Sequence, residues 1–301
     1  MARTDNLTNY LTDVADAIRE KKGTTDVIPA NTFDEEIKNL PSGGGGASDY
    51  FETTITTKNH QNFGKNYYIK KLPEVIVDSG CTTLSYAFNG SNFIKEFSIS
   101  GDTSNVTNVS YMFQDCGNLE KIPLFNTSKV NNMTFMFYRC SSLSNVSFDF
   151  DTSKVTNISN IFGSCYNLKT ISSFNTSNVK DFSSSFAYCY DLTTITLLDL
   201  QNATNINSMF NSCNNLTNLG GLENLGKAYL TTASANSSSY TLNLSSCTKL
   251  THDSLMNVIN NLYDIATAGV QAQQLVLGSD NLAKITDEEK AIAQNKGWSL
   301  S

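Results

Sequence analysis

Few side chains in this 301-residue chain have types and spacing that could support chemistry, and the seven cysteines are the most conspicuous. They stand at Cys81, Cys116, Cys140, Cys165, Cys189, Cys213 and Cys247, and the middle five are separated by steps of 24, 25, 24 and 24 residues. A structural zinc site needs thiols two to four residues apart, and no such pair exists here. The two histidines, His60 and His252, are far apart in sequence. Asp149 and Asp151 are close enough to suggest the paired carboxylates of glycan cleavage. They open an Asp-Thr-Ser turn, however, and a turn accounts for them better. The glycine run at 43–46 lacks the Lys-Ser/Thr of a phosphate-binding loop. We therefore predict no catalytic residues, no metal ligands and no cofactor.

A thiol that returns every 24 residues marks a structural repeat. Three residues before the cysteines stand Phe113, Phe137, Phe162, Phe186 and Phe210, and Phe88 extends the column with Ser91 in the cysteine position. Three residues after them stand Leu119, Leu143, Leu168, Leu192 and Leu216. Upstream run Val106, Val130, Val155, Val179 and Ala203, and also Leu84, Val109, Met133, Ile158, Phe182 and Ile206. One unit of this length cannot bury its apolar face alone, whereas stacked units bury each column against the next. The Leu119, Ile122 and Leu124 pattern predicts a short strand. The Val106, Val109, Met112 and Phe113 spacing predicts a short helix or 3₁₀ turn. A strand and a short helix in every coil make an α/β repeat, a leucine-rich-repeat solenoid of about six repeats. The cysteines then form a reduced, buried packing column.

Composition narrows the partners. There are 18 Lys, 3 Arg and 36 Asn, and the net charge is −7. This balance disfavours nucleic acids and anionic membranes, which select clustered Lys and Arg. No apolar run approaches the roughly 20 residues of a membrane-spanning helix. The N-terminus lacks the apolar core of a signal peptide.

The phrases TSNVTNVSYMFQDCGNLEKI, TSKVNNMTFMFYRCSSLSNV and TSKVTNISNIFGSCYNLKTI resemble BspA-type leucine-rich repeats of bacterial surface proteins. That resemblance covers roughly residues 81–250 and implies adhesion without catalytic residues. Residues 1–41 form a separate helical module, with Leu7, Leu11, Val14, Ala15 and Ile18 on one face. The segment LTDVADAIREKKGTTDVIPANTFDEEIKNL is similar to a module near the start of tail and baseplate proteins of phages that infect Gram-positive bacteria. Residues 42–48 are a Gly-rich linker. Residues 49–80 are predicted to form an N-terminal β cap on the solenoid at 81–250. Residues 251–301 are predicted to form an α/β C-terminal cap, with a helix on Leu255, Val258, Ile259, Leu262 and Ile265, a strand at QQLVLG and a helix starting at Thr286.

Two outward surfaces could bind. The strand-side positions, Lys121, Pro123, Asn145, Ser147, Thr170, Ser172, Thr194 and Thr196, make a nearly uncharged concave face. Beside the cysteines, Tyr138, Tyr166, Tyr188 and Tyr190 are the candidate ligand-binding residues, suited to stacking on sugars with hydrogen bonds to their hydroxyls. The expected function is that of a non-enzymatic phage virion protein of the tail tip, baseplate or a fibre. Its repeat surface would recognise a host cell-surface glycan or protein. Residues 1–41 would join other virion proteins and form a homo-oligomer, a trimer. The protein would be made in the host cytoplasm without a signal peptide and located in the virion. A bacterial cell-surface adhesin of the same repeat class is the alternative, and a glycan-degrading enzyme a minor one.

Overall fold

The computed structural model describes residues 54–55, 75–92, 94–231, 240–268 and 270–301. The helical module at 1–41 and the linker at 42–48 lie outside the described residues, as does most of the segment assigned to the N-terminal cap.

The chain winds into coils whose equivalent residues lie side by side in parallel. Bridges connect Thr83 to Asn108, Asn108 to Asn132, Asn132 to Asn157, Asn157 to Asp181, and Asp181 to Asn205. Strands β1 (Thr54–Ile55), β2 (Val75–Val77) and β3 (Ile99–Gly101) form one parallel sheet at the N-terminal end. Next come β4 (Asn145–Val146), β5 (Thr170–Ile171), β6 (Thr194–Ile195), β7 (Leu198–Asp199), β8 (Asn218–Leu219) and β9 (Leu222–Glu223). Of these, β4, β5, β6 and β8 pair in that order, and β7 pairs with β9. One turn of 3₁₀ helix covers Lys227–Thr231, and β10 covers Thr241–Asn243.

The columns read from the sequence are the core. Phe88, Phe113, Phe137, Phe162, Phe186 and Phe210 are fully buried and stack ring on ring, with centroid separations of 5.4, 5.5, 5.4, 6.2 and 5.6 Å. Near-parallel rings at that spacing follow from the coil pitch, because equivalent residues of hydrogen-bonded coils sit about 4.8 Å apart. All seven cysteines are free and buried. Six of them do more than fill space. Each thiol donates to the carbonyl of the Phe in the preceding coil, as Cys116 does to Phe88, Cys140 to Phe113 and Cys165 to Phe137, each at 3.0 Å. Cys189, Cys213 and Cys247 repeat the contact.

The Asp/Asn-Thr-Ser turns form as their residue types require. Asp102, Asn126, Asp151 and Asn175 each accept the backbone N–H two residues on, at 2.9–3.0 Å. The threonine that follows is buried, and its hydroxyl reaches the next coil. Thr127 donates to the Asp151 carbonyl at 3.0 Å and Thr152 to the Asn175 carbonyl at 2.7 Å.

Two local expectations are corrected. The segment expected to be a short helix or 3₁₀ turn is no continuous helix but a string of tight turns, each closed by one bond of the 3₁₀ kind. Met112 N–H donates to Val109, Gln114 to Tyr111 and Cys116 to Phe113, while the intervening N–H groups of Val109, Tyr111, Phe113 and Asp115 donate to the next coil. Alternation between local and inter-coil bonds places two residues per coil in the left-handed region. One set is Tyr86, Tyr111, Phe135, Asn160, Ser184 and Ser208, and the other is Asp115, Arg139, Ser164, Tyr188 and Ser212, all with φ between 52 and 61°. The repeat is therefore a β-turn solenoid rather than an α/β repeat. Second, the strand predicted at Leu119–Leu124 does not form. Pro123 lacks the N–H that a ladder needs. Pro123 is itself buried and so leaves the predicted concave face, while Leu124 turns outward, 55% exposed. Regular pairing in this column begins one coil later, at β4.

The C-terminal end is closed by α1 (His252–Asn261), β11 (Gln273–Val276), α2 (Gly278–Leu282), α3 (Asp287–Asn295) and β12 (Trp298–Leu300), with β10, β11 and β12 forming a parallel sheet. Helix α1 buries Leu255, Val258 and Ile259 but ends before Leu262 and Ile265. Helix α3 begins with a reciprocal capping box between Thr286 and Glu289. Gly226 has no side chain because the Trp298 ring lies where one would go, 2.6 Å from an added Cβ. Among the described residues, no helix is long and apolar enough to cross a membrane.

Candidate functional site

The turns beside the cysteine column carry the exposed tyrosines Tyr86, Tyr166, Tyr188 and Tyr190. Their backbone is fixed from coil to coil: Tyr86 N–H donates to Ser110, Tyr111 to Thr134 and Phe135 to Ser159, at 3.1, 2.9 and 2.9 Å. Aromatic residues in one such column are therefore forced into a stack.

Of the four tyrosines predicted to bind, the structure brings three together. Tyr166 and Tyr190 occupy the position after cysteine in successive coils and stack at 5.5 Å with 13° between planes. Tyr188 meets Tyr190 edge-on at 6.3 Å. The three rings are each 42–43% exposed. Tyr138 stands apart. It lies in the preceding coil over Gly163, where an added Cβ would come within 3.0 Å of its ring. It also packs edge-on to Phe135 at 5.1 Å, with the Arg139 guanidinium 5.0 Å from its centroid. Arg139 pairs with Asp115 at 3.5 Å. Tyr138, Asp115 and Tyr166 all favour its charged form.

A second ring stack was not singled out from the sequence. Tyr86 and Tyr111 lie 4.5 Å apart with 3° between planes, and Tyr111 and Phe135 lie 4.9 Å apart with 6°. Burial, and then the neighbouring Tyr86, push the Tyr111 phenol above its usual range. The signal was present: positions 86, 111 and 135 recur in the cysteine rhythm and carry only rings.

The predicted concave face is polar. Asn145, Ser147, Thr170, Ser172 and Thr196 are exposed, as is Lys121 at its margin, while Thr194 is half-buried. Thr170 hydroxyl donates to Asn145 Oδ1 at 2.8 Å.

The groups with reactive potential are held in unreactive states. Desolvation pushes the thiols of Cys116, Cys165 and Cys247 up to about 12, and those of Cys140, Cys189 and Cys213 well above the ordinary range. At neutral pH they are not thiolates and not nucleophiles. Asp149 accepts the Ser147 hydroxyl at 2.6 Å. Hydrogen bonds from Ser153 hold Asp151 below the usual carboxylate range, opposite to what a general acid needs. His252 pairs with Glu289 at 2.8 Å on the surface of the cap, and His60 lies outside the described residues. Among the described residues, no three His, Cys, Asp or Glu converge as metal ligands would.

Residues 75–169 and 118–224 match the family described as "Mycoplasma protein of unknown function, DUF285". No curated protein matches the chain. Among solved structures, a leucine-rich repeat protein from Bacteroides ovatus is similar, with 15% identity and a TM-score of 0.33, over 68% of this chain and 52% of that one. The chain thus spans about half the length of that protein. The matched residues, 75–224, carry the recurring Phe, Cys and Leu columns, and DUF285 is a BspA-like repeat family.

Proposed function

We propose that this chain is a non-enzymatic binding protein of a phage virion, placed in the tail tip, baseplate or a fibre, whose repeat surface contacts the host cell. The observation that carries the binding reading is the grouping of Tyr166, Tyr188 and Tyr190 as exposed rings on a backbone fixed by inter-coil hydrogen bonds. A rigid scaffold that presents rings and hydroxyls loses little conformational entropy on binding. The virion reading rests on the resemblance of residues 1–41 to a tail and baseplate module and on the glycine linker that follows. In this reading residues 1–41 attach the chain to other virion proteins and trimerise, and many copies per particle convert weak single contacts into avidity. The host partner is a surface glycan or protein.

Gold-labelled antibody against the chain should decorate the tail end of virions. Label confined to the capsid shell, or absent from particles, would overturn the virion assignment. Purified protein should also bind host cells, and failure to do so would overturn host recognition.

A further inference from the structure

We propose that the two ring groups form one binding strip, and that its ligand is a linear neutral polysaccharide running across the coils. This deepens the host-recognition reading and rests on it.

The continuity is geometric. The strip starts five residues before the cysteine position, with Tyr86, Tyr111 and Phe135 in three successive coils. Phe135 hands over to Tyr138, which lies two residues before cysteine, through an edge contact at 5.1 Å. Arg139 covers Tyr138, whose ring lies against Gly163 of the next coil, three residues before Tyr166. The strip ends with Tyr166, Tyr190 and Tyr188, immediately beside their cysteines. The rings keep one column over three coils, step sideways through Tyr138, and keep a second column over Tyr166 and Tyr190. An extended polymer crossing several coils fits such a strip better than a compact ligand does.

The chemistry favours a neutral sugar chain. The stacked rings use their faces on one another, so they offer edges and phenolic hydroxyls to a ligand. A sugar chain alternates C–H and O–H groups and can satisfy both. The residues flanking the strip include the amides Asn89, Gln114, Asn160 and Asn167. The charges set into it are Asp115 and Arg139, which pair at 3.5 Å, and Asp191, which follows Tyr190 and donates its N–H to the Tyr166 carbonyl. An anionic polymer would gain little there and would also oppose the net charge of −7.

The repeat itself supplies a substitution the backbone tolerates. In the left-handed column occupied by Tyr86, Tyr111 and Phe135, the later coils carry Asn160, Ser184 and Ser208. A Y86N/Y111N/F135N variant therefore keeps a residue suited to that conformation. The test is gel retardation of the full-length protein by dextran, yeast mannan, β-1,3-glucan and a neutral Gram-positive wall polysaccharide, with heparin as the anionic comparison. Wild type should be retarded by at least one neutral polymer and not by heparin, and the triple variant should lose at least tenfold in affinity. A Y86F/Y111F variant, which keeps the stack and removes only hydroxyls, should lose a smaller amount and guards against misfolding of the triple variant. Retardation by none of the neutral polymers, retardation by heparin alone, or unchanged affinity in both variants overturns the proposal. If the protein still binds host cells in those cases, host recognition stands and only the strip and its ligand class fail.

Discussion

Ser91 occupies the cysteine position of the first coil, and replacing it should stabilise the protein. Its N–H donates to the Phe88 carbonyl at 3.0 Å, as Cys116 N–H does to Phe113 at 3.1 Å, so the backbone there is that of the cysteine column. The side chain is 2% exposed, and its hydroxyl has no hydrogen-bond partner among the described residues. A buried, unsatisfied polar group costs about 1–3 kcal/mol. Cysteine is nearly isosteric, more apolar and already accepted at the equivalent site of later coils. Ser91→Cys should therefore gain about 1–2 kcal/mol, and Ser91→Ala somewhat less because it trades the hydroxyl for a small void. With a urea m-value of about 3 kcal/mol/M, a gain of 1.5 kcal/mol raises the midpoint by about 0.5 M. The assay is urea unfolding followed by circular dichroism, with unchanged m as the check that only stability moved. A lower midpoint for both variants would refute the claim that this hydroxyl is a buried liability.

Phe162→Ala removes a fully buried ring stacked between Phe137 and Phe186, and should cost about 3–5 kcal/mol by the same assay. The thiols of Cys140, Cys165 and Cys189 should resist iodoacetamide at pH 8 in the native protein and react in urea, as mass spectrometry would show. Y166S/Y188S/Y190S should weaken host-cell binding with a melting shift of no more than about 2 °C, since Ser164 and Ser212 already occupy the left-handed column of Tyr188. His252 is raised above 6.5 by its hydrogen bonds to Glu289 and Asp253, so its stabilising effect is complete below pH 6.5 and fades as pH rises through the raised value. Glu289 is lowered by its bonds to Thr286 and His252, and its effect is lost as pH falls through that lowered value. The melting difference between wild type and His252→Gln should therefore be largest between about pH 5 and 6 and should shrink as pH rises above 6.5.

The core columns were legible because a solenoid repeats its interior. Cys116, Phe113 and Leu119 each return in the four coils that follow, and periodicity alone marks them as buried. The cap helix α3 was legible from Thr286 and Glu289, whose reciprocal bonds are a local signal. The turn string was not. Turns that close a bond every few residues return apolar side chains at three-residue intervals, much as a helix does. Residues such as Tyr111 and Arg139 also give no local warning of a left-handed backbone, because hydrogen bonds to the next coil impose it. Adjacency in the candidate site depended on column. Tyr166 and Tyr190 share one and meet, whereas Tyr138 does not and packs elsewhere. The Tyr86, Tyr111 and Phe135 column had the same period as the core, but a ring column reads as interior until the structure shows Tyr86 exposed and Tyr111 and Phe135 only half-buried.

The direction of the inter-coil hydrogen bonds sets how the repeat region would answer a pull. Those bonds run from one coil to the next, roughly along the stacking axis. A force applied at the two ends of the stack passes through every coil interface in series, and opens the bonds of an end coil one after another rather than shearing all coils at once. Resistance is then local, and coils peel off singly. Each released coil pays out 24 or 25 residues, about 80 Å of extended chain. A tethered particle held through this protein would therefore be cushioned in equal steps, each dissipating energy before the next coil is strained.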